Sequence, residues 1–382
     1  MTENIKVVSE RNTIGDYDQL SKYISGKNAL VLQGGGQKSI FTAGVLDAFN
    51  LSSFDPFELY FGTSAGAMNL CAFLCRQCGL GKSFITELTT RNEFFNLFSY
   101  IRKKQYLNLS WALDRIMDFP YRLDVDMGRC VLQQKKAYAA VTQVNTLKDD
   151  YLPVLESDWR EVLLATCAIP ALCDQPVEVR DQPYVDGGIS AAIPVQEAWR
   201  QGARFIAVIR TECPETSSVL PEVGESSPAG FKLPLDYVQN QWQLLSEQWR
   251  SSLKKKMSAH SKNPPAHILN GGRWLFGADN LFRLGDLLGR KFDSRLADML
   301  MIHFQTYELT LKFLESPPDD VFIIQIAPSM TLRSGPLLSN KEDLLHDYAL
   351  GLEAGYNFIE SWESAKRVLY SDDLNMQDSE FR

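Results

Sequence analysis

"LVLQGGGQKSIFTAGVLDAF" (30–49) runs from one apolar stretch through three glycines into a second apolar stretch of different period. Extended back to "NALVLQ" (28–33), the first part is short and continuous, as a strand covered on both faces is. After the glycines, Ile40, Phe41, Val45, Leu46 and Phe49 recur at helical spacing, and Ser39 stands where an N-cap belongs. The prediction is strand, glycine loop, helix. Backbone N–H groups at a helix start attract anions, so the loop is a candidate anion cradle. Nucleotide phosphate fits it poorly. A P-loop separates its first Gly from the Gly-Lys pair by four residues, whereas here Lys38 follows Gln37, and a dinucleotide fingerprint needs Gly where Ser39 sits.

The next unit repeats the plan. "FELYF" (57–61) leads into "GTSAG" (62–66), and the chain is helical in pattern from Ala65 to Cys78, with Gly79 as the expected stop. G-x-S-x-G places a serine on a sharp strand-to-helix turn, which needs small residues such as Gly62 and Gly66 beside it. There the N–H groups and dipole of the new helix favour negative charge on the Ser64 oxygen. Two strand-to-helix units in succession predict an α/β sheet. "AYAAVTQV" (137–144), "QPVEV" (175–179) and "ARFIAVIRT" (203–211) read as further strands, and "DWREVLLATCAIP" (158–170) as a helix broken at Pro170. Residues 82–127 read as mostly helical, and their scattered aspartates as solvated faces rather than a metal site.

A serine needs a base. "YVDGGISAAIPV" (184–195) offers Asp186, with Gly187 and Gly188 allowing a tight turn at the sheet edge. The four histidines, His260, His267, His303 and His346, all lie beyond residue 230. The order Ser64, Asp186, late His would still permit a triad using His303 or His346.

Taken together, the Gly-Gly-Gly loop, G-x-S-x-G and D-G-G motifs, with "AIP" at 168–170, resemble the patatin-like phospholipases over residues 28–212. The resemblance implies a three-layer α/β/α sandwich and a Ser–Asp dyad without histidine. By position, Ser64 would be the nucleophile and Asp186 the base, with Gly34, Gly35 and Gly36 forming the oxyanion hole. The loop's anion would then be the tetrahedral intermediate of ester cleavage, and the activity that of a phospholipase A-like serine hydrolase on lipid or other carboxylic esters. Where the family usually continues with Arg-Gly, this chain has Lys38-Ser39. Lysine keeps the charge but not the planar fork of arginine. A non-catalytic protein on the same scaffold, holding acyl chains or a partner, is the alternative. One chemical difficulty stands: an aspartate of ordinary pKa, about 3.9, is a poor base for a hydroxyl.

The rest bounds the reading. The 382 residues carry a net charge of −8, which gives no reason to expect nucleic-acid binding. Seven cysteines, an odd count, favour reduced thiols. Cys71, Cys75 and Cys78 recur at helical spacing and read as a core face rather than a zinc site. Residues 1–27 have no basic-then-apolar leader pattern, and no stretch reaches the roughly 18 apolar residues of a membrane span, so a cytoplasmic chain is expected. No cofactor or metal is implied. The loop "CPETSSVLPEVGESSPAG" (213–230) separates the first region from a mainly helical one, 231–382, whose apolar stretch "DVFIIQIAP" (320–328) reads as a strand able to rejoin the first sheet. Within that region, Val238, Trp242, Leu245, Trp249 and Leu253 form a helical stripe that ends in Lys254, Lys255 and Lys256. Such a stripe over 235–257 suits packing on the core or peripheral contact with an anionic membrane.

Overall fold

The structure, a computed structural model, describes residues 23–24, 26–96, 107–170, 172–173, 175–214 and 294–380. The chain divides into one unit of residues 1–217 with 295–382 and another of 218–294; only Ser294 of the second is described. The predicted stripe at 235–257 lies outside the described residues.

The chain opens with two strand–helix pairs, β1 (Lys27–Leu32) with α1 (Ile40–Leu51) and β2 (Leu59–Thr63) with α2 (Ala65–Leu74). A one-turn helix (Leu80–Ser83) and a π-helical turn (Phe84–Leu88) follow, then the short helices α3 (Leu109–Arg115) and α4 (Val125–Leu132), and then β3 (Lys136–Gln143), β4 (Asp149–Pro153) and α5 (Trp159–Thr166). After β5 (Val177–Val179) and β6 (Gln182–Asp186) come α6 (Val195–Arg200) and β7 (Ala203–Ile209). The late elements are α7 (Ser294–Glu315), β8 (Phe322–Ile326) and α8 (Lys341–Glu380).

Eight strands form one sheet in the order β5-β6-β3-β2-β1-β7-β8, with β4 also paired to β3. Strands β3, β2, β1, β7 and β8 run parallel, and β4, β5 and β6 supply antiparallel pairs. The late strand β8 lies beside β7, from Phe205↔Phe322 to Ile209↔Ile326. Strand order turns back at β1, and the crevice at the carboxyl ends of such strands is where α/β sheets place their ligands.

Alternation along β1 explains the layers. Leu30 and Leu32 join Tyr60, Phe41, Val45, Leu70, Phe73 and Phe358 on the face covered by α1, α2 and α8. Ala29 and Val31 join Phe61, Val195, Ala198 and Leu314 on the face covered by α6 and α7. The sheet is therefore the middle layer of three, and β1 is apolar over residues 29–32 because both its faces are covered there. On the first face, Phe49, Phe54, Phe358 and Trp362 pack ring to ring, and Trp362 also meets Phe205 at 4.9 Å. Helices α1 and α8 come together backbone to backbone, since a Cβ at Gly44 would strike the Tyr348 carbonyl.

Pairing along β3 brings the two motif turns together. Strand β4 occupies one edge of β3 through residues 138–142, so β2 (opposite 136–140) and β6 (opposite 141–143) must share the other edge. Strand β2 ends at Thr63, opposite Ala140, and β6 ends at Asp186, opposite Val141. Ser64 and Asp186 therefore emerge at neighbouring positions along one strand edge.

Candidate active site

Ser64 is the one residue between β2 and α2, and it is buried at φ 52°, ψ −126°. That region costs a non-glycine residue on the order of 1–3 kcal/mol and persists only where surrounding structure enforces it. Here the enforcement is explicit. The Ser64 N–H donates to Thr166 Oγ1 at 2.9 Å, and the Thr166 hydroxyl donates to the Ala140 carbonyl at 2.5 Å. The Ser64 carbonyl accepts from Ala67 N–H (2.9 Å) and Met68 N–H (3.2 Å), which starts α2. Gly62 lies in β2 opposite Leu32, and Gly66, in the first turn of α2, packs on the Leu32 and Gln33 carbonyls. The serine hydroxyl consequently sits at the positive end of a ten-residue helix.

Asp186 is buried at the end of β6. Its Oδ1 accepts from Gly188 N–H at 2.5 Å, its N–H donates to the Ala168 carbonyl at 3.0 Å, and its carbonyl accepts from Thr142 Oγ1 at 2.8 Å. The "AIP" segment thus docks directly on the Asp186 turn. A Cβ at Gly187 would strike the Ala140 carbonyl, so only glycine lets the turn lie against β3. Burial pushes the Asp186 carboxyl up to about 7, against smaller downward pulls from the Gly188 N–H and the Ser64 side chain. The environment removes the difficulty that an ordinary aspartate presents as a base.

The glycine loop follows β1, the neighbour of β2, at its carboxyl end. Gly34 N–H donates to the Ala192 carbonyl at 3.2 Å, so it is not free to serve an oxyanion, and on this point the geometry departs from the sequence expectation. Gly35 and Gly36 N–H groups have no acceptor among the described residues. Gly36 takes φ +57° and faces the Pro336 carbonyl with no room for a Cβ, while Gly35 is crowded by the Thr211 side chain. Gln37 anchors the loop: its N–H donates to Pro336 O (2.9 Å) and its Nε2 to Thr89 Oγ1 (3.0 Å).

Residues 30–199 match the patatin-like phospholipase family, and residues 293–366 match a domain of unknown function, DUF6363. The protein described as uncharacterized protein YjjU of Escherichia coli (strain K12) is 31% identical over 350 residues, spanning 91% of this chain and 82% of its own. The chain belongs to the patatin-like phospholipase family. The crystal structure of VipD from Legionella pneumophila aligns over 88% of this chain and 67% of its own, with 12% identity and a TM-score of 0.36.

In this patatin-like chain the unusual pair behaves as follows. Lys38 forms an ion pair with Glu212 at 3.8 Å, and Glu212 also accepts from the Tyr307 hydroxyl at 2.6 Å. Ser39 does not cap α1 through its side chain; its hydroxyl is buried with no partner among the described residues, while its carbonyl accepts from Asn69 Nδ2 at 2.8 Å. His346 pairs with Asp347 at 3.1 Å, and His303 contacts the Gly188 carbonyl. Cys167, beside Ser64 and Asp186, is no rival nucleophile, because burial and the Asp186 charge push its thiol far up. Cys71 and Cys75 are core residues, whereas Cys78 is exposed beyond the end of α2. Among the described residues no cluster of His, Cys, Asp and Glu suits a metal, and no helix is long and apolar enough to cross a membrane. Thr166, Thr142 and Gln33 escaped sequence reasoning. Each acts through hydrogen bonds to residues far away in sequence, Gln33 through Thr211 N–H at 3.1 Å, and single threonines or glutamines carry no periodic signal.

Proposed function

We propose that the protein is a serine acyl hydrolase acting on lipid or other carboxylic esters, with Ser64 as nucleophile and Asp186 as base. The observation that carries this reading is a buried aspartate, titrating at about 7, set against a strained serine at a helix N-terminus. Ionised Asp186 takes the Ser64 hydroxyl proton as Oγ attacks the ester carbonyl carbon. The oxygen that gains charge is received by the Gly35 and Gly36 N–H groups and the α2 dipole. Collapse of the intermediate breaks the ester C–O bond, and the departing alcohol takes the proton from Asp186. Water then attacks the acyl-serine, giving its proton to Asp186, and the released Ser64 oxygen recovers one. The base works near neutral pH because its pKa lies there, where protonation state and driving force are balanced.

A pH profile tests the reading. With p-nitrophenyl esters of graded chain length, kcat is expected to rise with pH through about 7 as Asp186 ionises. Ser64→Ala should remove turnover, and Asp186→Asn should lower it by on the order of 10³-fold or more and remove the rising limb. Hydrolysis that survives Ser64→Ala would refute the assignment.

A further inference from the structure

The motif turns are held from outside the catalytic segment. His303 lies half-buried on α7, its ring stacked on Tyr307 with centroids 5.9 Å apart and planes 14° apart. Its Nδ1 is 2.6 Å from the Gly188 carbonyl oxygen. A carbonyl can only accept, so Nδ1 bears the proton and donates it. Burial holds the ring below its ordinary pKa, which keeps it neutral. One turn along α7, the Thr306 hydroxyl lies 3.2 Å from the Ile189 carbonyl while also bonding Ile302 O at 2.8 Å. One turn back, Met299 packs on Val185 and Ile189. Three successive turns of α7 therefore grip residues 185–189.

Gly188 is the residue whose N–H holds the Asp186 carboxylate at 2.5 Å. His303 thus reaches the base through a single residue, fixing the carbonyl of the glycine whose N–H fixes the carboxylate. The loop before α8 does the same for the glycine loop: Pro336 O accepts from Gln37 N–H, and Ser339 N–H donates to Gln37 Oε1 at 2.8 Å. Both contacts come from the segment matched to the domain of unknown function.

We propose that this segment is a positioning element of the active site, and that His303 is the positioning residue that sets how Asp186 meets Ser64, by anchoring Gly188. The proposal rests on the serine hydrolase reading. It predicts that losing one donor loosens the base turn without removing any reacting group.

The test compares full-length wild type, His303→Leu and His303→Asn, whose amide can donate from nearly the place of Nδ1. Two readouts are taken: kcat and KM on a p-nitrophenyl ester, and amide hydrogen exchange of the peptide spanning 186–191. In the Leu variant kcat is expected to fall about tenfold with KM within about twofold, and exchange in the turn to quicken, as one lost buried hydrogen bond implies. Asn is expected to restore most of both. Should the Leu variant not fold, His303→Gln, which moves the amide one bond outward, is expected to give the same loss. Wild-type kcat and exchange in the variant lacking the donor, or an Asn variant no better than it, would overturn the proposal. An inactive wild type would refute the hydrolase reading instead, and exchange alone would then decide whether His303 holds the turn.

Discussion

At Asp186 the burial that raises the carboxyl pKa also makes the folded state dependent on pH. Its folded pKa, about 7, lies above its ordinary value, so the folded state binds the proton more tightly than the unfolded one. The resulting contribution is fully present below about pH 4 and is lost as pH rises through 7, by at most on the order of 4 kcal/mol. Asp186→Asn, which carries no charge to desolvate, is expected to raise the thermal midpoint at pH 8 and leave it nearly unchanged at pH 4; equal shifts at both would contradict the burial argument. Ser64 trades in the other direction, since its positive φ is strained. Ser64→Gly is expected to keep or raise stability while abolishing turnover, measured by thermal unfolding and ester hydrolysis side by side. In the sequence, both positions are legible as motif letters. What the letters omit is the burial of Asp186, which depends on α5, Ala168, Cys173 and β3 closing around it. They also omit the Gly34 N–H being spent on Ala192, since that depends on where a chain 158 residues away comes to lie.

The elements divide by how much apolar patterning they carry. Residues 29–32 of β1 and nearly all of β7 are buried and read directly as apolar runs. Strand β4, "DDYLP", has a single fully buried side chain, Leu152, and gave no signal; it is defined by its pairing with β3. The helix expected to run to Cys78 ends at Leu74 because Arg76, rather than a glycine, takes the left-handed position that closes it. Gln77 N–H then reaches back to Ala72 O at 3.1 Å. Arg76 is held there by Asp55 at 2.6 Å and by the Phe73 ring at 5.2 Å, two contacts no local rule anticipates. Arg76→Gly is therefore expected to be close to neutral, the freed backbone offsetting the lost pair. On the opposite side of the core, Phe358 of α8 is fully buried against Phe49 and Phe54, and Phe358→Ala is expected to cost about 3–5 kcal/mol in denaturant unfolding. A cost under about 1 kcal/mol would mean that α8 is not part of the core.

Across the whole molecule, residues far apart in sequence converge at the carboxyl ends of β1, β2 and β6. The glycine loop, the serine turn and the base turn come from β1, β2 and β6, and they are held by α7 and the loop before α8. Strand β8 covers the edge of β7, and α8 covers the aromatic face of the sheet. A chain ending at residue 214 would expose both, so it is expected to lose cooperative thermal unfolding by circular dichroism; a cooperative transition in that fragment would make the late elements dispensable. The proposed chemistry requires the pairing of Ser64 with Asp186. Its most direct measurement is covalent labelling of the intact protein by a fluorophosphonate, with the adduct located by mass spectrometry and its rate followed against pH. A single adduct on Ser64, forming faster as pH rises through about 7 and suppressed in Asp186→Asn, is the result expected. An unlabelled Ser64, or labelling indifferent to both pH and Asp186, would contradict that pairing.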